Sequence, residues 1–405
     1  MRFLHTSDWH LGRSFHQVGL LDAQAGFVDS LVEVVRTESV DAVLVSGDVY
    51  DRAMPSPDTV RLLSEAVTRL VDAGAQVVLS SGNHDSAIRL GFASELLARA
   101  GLHIRSSLTS VGTPVVVGGV AVYPLPYLEP SVAAEPLGAS ERTHAGVLGA
   151  AMARVRADLD GRGLPGVVMA HAFVTGGATS DSERDISVGG VSAVPPSVFD
   201  GVAYAALGHL HGRQQVDDTV RYSGSPVALS FSEWRHSKGS WLVDLDAATG
   251  AVEVEHVEAP VHRELAVLRG DLDELLLDPR LTPAERAWCQ VTLTDPVRPL
   301  GAMEQLRRRF PHTLVLQFDP QGAAVPVRSY TERTAAEDPV DVCCDFLGHV
   351  RVGAAASEDE RALLLEAVEA VRLDRGLRDD EGRAEVGRGP SRREDRAAGR
   401  RAGAA

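Results

Sequence analysis

The chain has 405 residues, with 40 basic against 56 acidic side chains and a formal net charge of -16. This length allows two or three domains and a core large enough to fold without disulfides. The acidic balance argues against a protein that coats DNA or an anionic membrane by bulk electrostatic attraction. Lys238 is the single lysine among the basic residues, and we attribute this to a coding bias toward arginine without functional meaning.

The cysteines and the N-terminus favour a cytoplasmic protein. Cys289, Cys343 and Cys344 do not make a disulfide framework, which favours a reducing compartment. His5 and Asp8 stand where a secretory signal needs an apolar run, and we expect no membrane span.

The first 260 residues alternate apolar strands with amphipathic helices. Strands are predicted at 2–6, 41–46, 76–80, 166–170 and 203–207, and helices at 23–37, 57–73 and 143–159. A hairpin is predicted over 115–123, and a closing antiparallel edge from Tyr222, 240–245 and 252–256. Buried strands that alternate with helices predict a largely parallel sheet of the α/β class.

The pattern changes after residue 260. Residues 262–330 predict a small α+β domain, with strands at 264–269, 288–293 and 313–318 and helices at 272–277 and 303–309. Two further helices are predicted at 337–351 and 358–375, within a helical segment that spans 335–375. In the second, Leu364, Val368 and Val371 form a face that suits ordinary packing or, less simply, a partner helix. Residues 376–405 show no apolar periodicity and predict a disordered tail.

Residues suited to metal binding follow the predicted strands of the first domain. They occur as Asp8-Trp9-His10, Gly47-Asp48, Gly82-Asn83-His84-Asp85, His171 and Gly208-His209-Leu210-His211. In parallel α/β sheets, ligands gather at the carboxyl ends of the strands. Two carboxylates, one amide oxygen and several imidazoles are therefore expected at one edge of the sheet.

This donor set suits a pair of divalent metal ions. Two ions about 3.5–4 Å apart need a bridging carboxylate, and Asp48, preceded by a glycine, is the natural bridge. On an extended segment Asp8 and His10 would point the same way, and His209 and His211 repeat that spacing. Nitrogen and oxygen donors without thiolate suit Mn²⁺, Fe or Zn²⁺ better than Ca²⁺ or Mg²⁺ alone. His84, beside a ligand, is then free to act as general acid on the leaving oxygen.

Neighbouring polar residues have simpler interpretations. Asp85 is expected to support His84 or to cap the next helix, and Asp51 lies between a supporting role and a surface position. Five arginines beside the motifs are expected to be solvated charges or structural ion pairs: Arg13, Arg52, Arg89, Arg184 and Arg213.

These motifs, in this order, resemble those of the calcineurin-like two-metal phosphoesterases. The longer strings at 6–12 (TSDWHLG), 46–51 (SGDVYD), 81–86 (SGNHDS), 208–212 (GHLHG) and 222–226 (YSGSP) are similar to the SbcD family of nuclease subunits. The resemblance covers residues 1–260 with specific motifs and the rest in layout only. It implies a metallophosphoesterase β-sandwich flanked by helices, with a small α+β capping domain and C-terminal helices.

The resemblance also implies a division of the site. One metal ion would be held by Asp8, His10, Asp48 and His211, and the other by Asp48, Asn83, His171 and His209, with Mn²⁺ expected and His84 as the catalytic acid. Some relatives carry a second histidine three residues after the bridging aspartate. Here that position is Asp51, so the phosphate-orienting role of that histidine is not carried over.

The implied activity is a 3′→5′ double-strand exonuclease and a single-strand or hairpin endonuclease in DNA repair, recombination and replication. The implied partners are DNA, an SbcC-type SMC-like ATPase bound by the late helices, and a second copy of the chain. The 262–330 unit would face DNA. Two alternatives remain: a small-molecule or cyclic-nucleotide phosphodiesterase, which has little need of residues 262–375, and a non-catalytic scaffold, which has no need of the ligand set.

Overall fold

The computed structural model describes residues 1–184, 186, 193–321, 338–351 and 355–384. These residues separate into two units. The larger comprises Met1–Arg269, Leu275–Thr292 and Met303–Gln317, and the smaller comprises Gly270–Glu274, Leu293–Ala302 and the described residues from Phe318 onward. The sequence-based domain limits at 260, 330 and 375 stay predictions.

Most strands belong to two six-stranded sheets in the larger unit. The strands are β1 (Arg2–Thr6), β2 (Ser14–Phe15), β3 (Val18–Gly19), β4 (Ala42–Ser46), β5 (Gln76–Ser80), β6 (Leu102–Arg105), β7 (Val115–Val117), β8 (Val120–Pro124), β9 (Gly166–His171), β10 (Tyr204–Gly208), β11 (Gln214–Gln215), β12 (Val220–Tyr222), β13 (Gly239–Leu245), β14 (Val252–Glu258), β15 (Leu265–Gly270), β16 (Trp288–Leu293) and β17 (Thr313–Phe318).

The α-helices flank these sheets or follow them in the chain. They are α1 (Leu21–Thr37), α2 (Pro57–Asp72), α3 (Ala87–Leu90), α4 (Ser94–Leu97), α5 (Pro130–Leu137), α6 (His144–Asp160), α7 (Leu272–Leu277), α8 (Ala302–Arg309), α9 (Pro339–Val350) and α10 (Glu358–Ala384). The start of α2 follows the sequence, because Ser56 accepts a hydrogen bond from the backbone of Thr59 and Pro57 takes the first turn.

The first sheet has the order β14-β13-β1-β4-β5-β6, and the second has the order β11-β12-β10-β9-β8-β7. Strands β1, β4, β5 and β6 pair in parallel, as do β8, β9, β10 and β12. The α/β class is therefore confirmed, and the sandwich that the family resemblance implied is present. The sequence pattern indicated one largely parallel sheet. The strands near 166 and 204 instead build a second sheet and do not extend the first.

The two sheets pack face to face because their strands are apolar on both sides. In β1, Phe3 lies in the core between the sheets while Leu4 packs with the helices that cover the first sheet. In β9, Met169 lies between the sheets and Val168 packs under the helices of the second sheet. Successive residues of a strand point to opposite faces, so a strand buried on both faces is a continuous apolar run.

Tyr222 occupies a different position from the one predicted. Strands β13 and β14 form the expected antiparallel edge beside β1. Tyr222 instead lies in β12 and pairs in parallel with Leu207 of the second sheet. Its buried hydroxyl donates to the carbonyl of Ala172 at 2.7 Å and accepts from the backbone of Val174 at 2.8 Å, which ties it to the end of β9. Such a cross-chain bond leaves no periodic signal in the sequence.

The elements predicted after residue 260 are present, and residues 322–330 of that predicted domain lie outside the described residues. Strands β15, β16 and β17 form a three-stranded sheet in that order. Phe15 stacks on Trp288 with ring centroids 5.3 Å apart, within the larger unit.

The late helices are longer than their apolar pattern. Helix α10 continues to Ala384, past the predicted start of the tail at 376. Residues 335–337, 352–354 and 385–405 of the predicted segments lie outside the described residues. Among the described residues, no helix is long and apolar enough to cross a membrane.

Candidate metal centre

The ends of the parallel strands in both sheets meet at one place. The hydroxyl of Ser46, at the end of β4, donates to the carbonyl of Ala206 in β10 at 2.8 Å and so joins the two sheets. The backbone of Asp8 donates to the carbonyl of Gly47 at 3.1 Å, which links the segments after β1 and β4. The predicted donor residues, which follow five strands of two different sheets, are thereby brought together.

Three overlapping groups of these side chains could each hold a metal ion. They are Asp8, His10 and His211; Asp8, Asp48 and His171; and His10, Asp48 and His84, with the ligand atoms of each group within 4.8 Å of one another. Asp8, His10, Asp48, His171 and His211 are all buried. A buried cluster of carboxylates and imidazoles is a costly arrangement unless a cation or protons balance it.

Asp48 lies at the centre of the cluster. Its Oδ2 is 3.5 Å from Nε2 of His10, 3.4 Å from Nε2 of His171 and 4.0 Å from Nε2 of His84. On one side of it, Nε2 of His10 faces Nε2 of His211 at 3.1 Å. Two imidazoles that aim the same nitrogen at one point, beside a carboxylate, have the donor chemistry of a divalent metal site, so the residues present fit such ions.

Asn83 and His209 lie on the other side of Asp48. Oδ1 of Asn83 is 2.9 Å from Nε2 of His171, while its buried Nδ2 has no hydrogen-bond partner among the described residues. The ring of His209 is 5.3 Å from that of His171, and its backbone donates to the Asp8 carboxylate at 3.0 Å. The structure therefore places both residues next to the cluster, and their role as ligands stays a prediction.

The backbone at the site is strained. Among the described residues, eight non-glycine residues have positive φ, and four of them are predicted ligands: Asp8 (54°), His10 (43°), Asp48 (48°) and His209 (104°). Such conformations cost free energy and persist at functional sites. The extended backbone expected at Asp8, His10 and His209 is wrong, because all three have positive φ. The side chains of Asp8 and His10 nevertheless converge, since their ligand atoms fall in one group with His211.

Two glycines allow the central carboxylate to sit where it does. Gly47 has a φ of 83°, and a Cβ there would lie 2.4 Å from Nδ1 of His171. A Cβ on Gly82 would lie 2.1 Å from Oδ1 of Asp48. The expected close approach at Gly47 is therefore present, and Gly82 serves the same purpose from the next strand.

His84 is oriented toward Asp48 by its own backbone and by a neighbour. Its Nδ1 lies 2.8 Å from the carbonyl of Asp51, and its backbone donates to Oδ1 of Asp48 at 2.9 Å. Because Nδ1 donates to a carbonyl, Nε2 is the nitrogen that faces the site. Burial lowers the pKa of His84, which makes its protonated form a stronger acid.

Asp51 and Asp85 support the site in ways that the sequence left open. Oδ1 of Asp51 is 3.5 Å from Nδ1 of His10 and 3.1 Å from the Arg13 guanidinium, so Asp51 lies next to a predicted ligand and forms the structural ion pair expected of Arg13. Asp85 caps no helix. Its carboxylate accepts from the backbones of Val49, Tyr50 and Gly82 and so fixes the turns on either side of Asp48.

Sequence reasoning missed three residues behind His211. Ser182 Oγ is 2.5 Å from Nδ1 of His211, and the same hydroxyl contacts the buried carboxylate of Glu233, which pairs with Lys238. These residues belong to no motif of metal-type side chains. The available signal was the single lysine of an arginine-rich chain, which we had attributed to coding bias.

The carboxylates and imidazoles shift one another's pKa. Burial alone would lower the pKa of His171, but the charges of Asp48 and Asp8 outweigh burial and raise it to about 9. Burial and the neighbouring Asp48 raise the pKa of Asp8 to about 6. Burial also lowers the pKa of His209 well below its usual range. Without metal, His171 is therefore a cation between two carboxylates at neutral pH.

Two parts of the chain match family models. Residues 1–146 match the model described as calcineurin-like phosphoesterase, and residues 261–351 match the model described as type 5 capsule protein repressor C-terminal domain, SbcD_C. Among solved structures, TT1561 of Thermus thermophilus is similar at 15% identity and a TM-score of 0.36, over 63% of this chain and 98% of that one. A second structure is similar at 12% identity and a TM-score of 0.34, with the same coverage of both chains.

Residues 1–146 therefore form a domain of the calcineurin-like phosphoesterase type, which indicates a phosphodiester hydrolase. That family uses divalent metal ions, and the clustered carboxylates and imidazoles suit them. Together, the two matches support an SbcD-type chain. The first match ends at residue 146, before His171, His209 and His211. The structure adds these residues to the site through the second sheet.

Metal binding should release protons because a ligand imidazole must be neutral. At pH 7, loading metal-free protein with Mn²⁺ should release about one proton per chain, chiefly from His171 with its pKa of about 9, and this contribution should vanish as the pH rises past 9. Below pH 6, Asp8 should also lose a proton when Mn²⁺ binds, and the affinity for Mn²⁺ should be lower than at pH 7. Calorimetry in buffers of different ionisation enthalpy measures the number. Release that stays constant between pH 7 and 10 would contradict the charged His171.

Proposed function

We propose that this phosphodiester hydrolase is the Mn²⁺-dependent nuclease subunit of an SbcCD-type complex. It would act as a 3′→5′ double-strand exonuclease and as an endonuclease on single strands and hairpins. The observation that carries the proposal is the combination, on one chain, of the buried donor cluster with His84 and a matched SbcD_C domain. A DNA substrate and an ATP-using partner would also place the chain in the cytoplasm.

The proposed ligands divide around Asp48. Asp8, His10, Asp48 and His211 would hold one ion, and Asp48, Asn83, His171 and His209 would hold the other. When bound, the ions would polarise the phosphoryl group and activate a water at neutral pH. In its protonated form, His84 is placed to deliver the Nε2 proton to the leaving oxygen, since Nδ1 donates to the carbonyl of Asp51.

A groove beside the centre supports a polymeric substrate. It has a volume of about 440 Å³ and is lined by Arg13, His16, Phe231 and Trp234 among others. Trp234 is half-exposed, and Arg235, which follows it in the chain outside the groove lining, stacks on it with 4.3 Å from its guanidinium carbon to the ring centroid. Aromatic faces and guanidinium groups are the features by which proteins hold single strands. A small-molecule phosphodiesterase would not need the groove or the matched C-terminal domain.

Purified protein with Mn²⁺ should cut single-stranded and hairpin oligonucleotides. His84→Ala should keep the metal ions but lower turnover by about 100-fold or more, because it removes the general acid. The matched control is His103→Ala, which should leave turnover unchanged. His103 is a half-buried histidine on the edge strand β6, and its ring is hydrogen-bonded to the side chain of Gln76. Cleavage of cyclic nucleotides or nitrophenyl esters without any cleavage of DNA would contradict the nuclease proposal.

The late helices support an interface with an SbcC-type ATPase. Helices α9 and α10 pack on one another, with Leu364 and Val368 half-buried as ordinary packing predicts. Other apolar side chains are exposed, with Leu363 at 66%, Phe346 at 51% and Val371 at 54%. Apolar side chains exposed along helices mark surfaces that bind partner proteins.

Leu363→Glu combined with Val371→Glu should abolish co-purification with the ATPase, because both place charge on the proposed apolar surface. The matched control is Ala362→Glu, at an exposed position of the same helix that offers little apolar area. Loss of binding only in the control, or in no variant, would place the partner elsewhere. Circular dichroism should show the wild-type fold in each variant, since all three positions are exposed.

A second apolar surface supports a homodimer. Ile88, Phe92 and Leu96 are 89%, 80% and 63% exposed, and Arg89 bonds the carbonyl of Ala53, next to the exposed Met54. These side chains lie directly after the Gly82–Asp85 motif. Monomeric proteins rarely leave so many large apolar side chains in water together.

Ile88→Glu combined with Phe92→Glu should convert a dimer into a monomer in sedimentation experiments, because charge is not tolerated in an apolar interface. Val116→Glu, at an exposed apolar position on β7, should leave the dimer intact. A wild-type protein that sediments as a monomer at micromolar concentration would contradict the dimer.

A further inference from the structure

A buried ion pair lies behind the predicted ligand His211. Glu233 and Lys238 are 2.5 Å apart, with their side chains 0% and 8% exposed. The three protons of Lys238 reach three acceptors, which are the Glu233 carboxylate, Ser225 Oγ at 2.9 Å and the carbonyl of His211 at 2.8 Å. The lysine therefore holds the backbone of His211 directly.

The carboxylate holds the ring of the same residue through a hydroxyl. Ser182 Oγ lies between Glu233 and Nδ1 of His211. An ionised carboxylate only accepts hydrogen bonds, so the single hydroxyl proton of Ser182 must go to Glu233. The serine oxygen then accepts from Nδ1–H of His211, which leaves the lone pair on Nε2.

This tautomer is the one that the centre needs. Nε2 of His211 is the nitrogen that faces Nε2 of His10 at 3.1 Å, within the group formed with Asp8. Hydrogen bonds to the far nitrogen of a ligand histidine fix both its tautomer and its orientation.

We propose that Glu233 and Lys238, acting through Ser182, are the positioning residues that set the metal affinity of the His211 side of the centre. The inference rests on the proposed role of His211 as a ligand. It also explains the single lysine of the chain. A compact ammonium can direct three protons to three separate acceptors, whereas the planar guanidinium of arginine cannot reproduce that geometry.

Ser182→Ala tests the proposal with the smallest change, because it cuts the link to His211 and leaves the ion pair in place. Mn²⁺ titrations followed by electron paramagnetic resonance should show one of the two ions bound about 10–100-fold more weakly and the other unchanged. Ser182→Thr should restore the affinity, since it returns the hydroxyl. Ser232→Ala, which removes a hydroxyl bonded to Asp181 in the same region, is the matched control and should bind both ions normally.

Lys238→Arg should weaken the same ion, because it keeps the charge and loses the geometry. His211→Ala distinguishes a failure of the proposed network from a failure of the ligand role of His211. If His211→Ala loses an ion while Ser182→Ala binds both as tightly as wild type, the network is merely structural and the proposal is overturned. If His211→Ala also keeps both ions, the ligand assignment itself is overturned.

Discussion

The rest of the structure depends on one constraint. The Asp48 carboxylate is almost completely buried, and it lies among imidazoles that come from other strands. Burial alone would raise the pKa of this acid, but His171 and His10 outweigh burial and keep it well below the usual range. The acid is therefore ionised, and its charge must be balanced in place. In the metal-free protein, a protonated His171 supplies part of that balance. Divalent ions would supply it more completely.

This constraint accounts for the local geometry of the fold. Two sheets must meet at the carboxyl ends of their parallel strands, since neither sheet alone supplies enough donors. Gly47 and Gly82 are needed where the chain passes close to Asp48 and His171. Asp85 fixes the turns around the acid by accepting from three backbone N–H groups. The strained backbone of Asp8 and His10 is held by hydrogen bonds to the carbonyls of Gly47 and Asp48.

The strand ends and the side chains that cluster behind them could be predicted from the sequence, because apolar runs followed by metal-type residues are local patterns. The division of the strands between two sheets could not, since strands buried on both faces look alike whichever sheet they join. Tyr222 was misplaced for that reason. The extended backbone predicted at Asp8 and His10 was also wrong, because a left-handed backbone conformation is set by tertiary contacts. The roles of Ser182, Glu233 and Lys238 could not be predicted, because they depend on contacts between segments that are distant in the sequence.

The central claim is that Asp48 bridges two metal ions between the two sheets. Anomalous diffraction from crystals grown with Mn²⁺ tests this most directly, because it locates each ion independently of the protein atoms. We expect two peaks per chain, about 3.5–4 Å apart, on either side of the Asp48 carboxylate. One should lie against His10 and His211 and the other against His171. A single peak, or two peaks that do not share Asp48, would contradict the account.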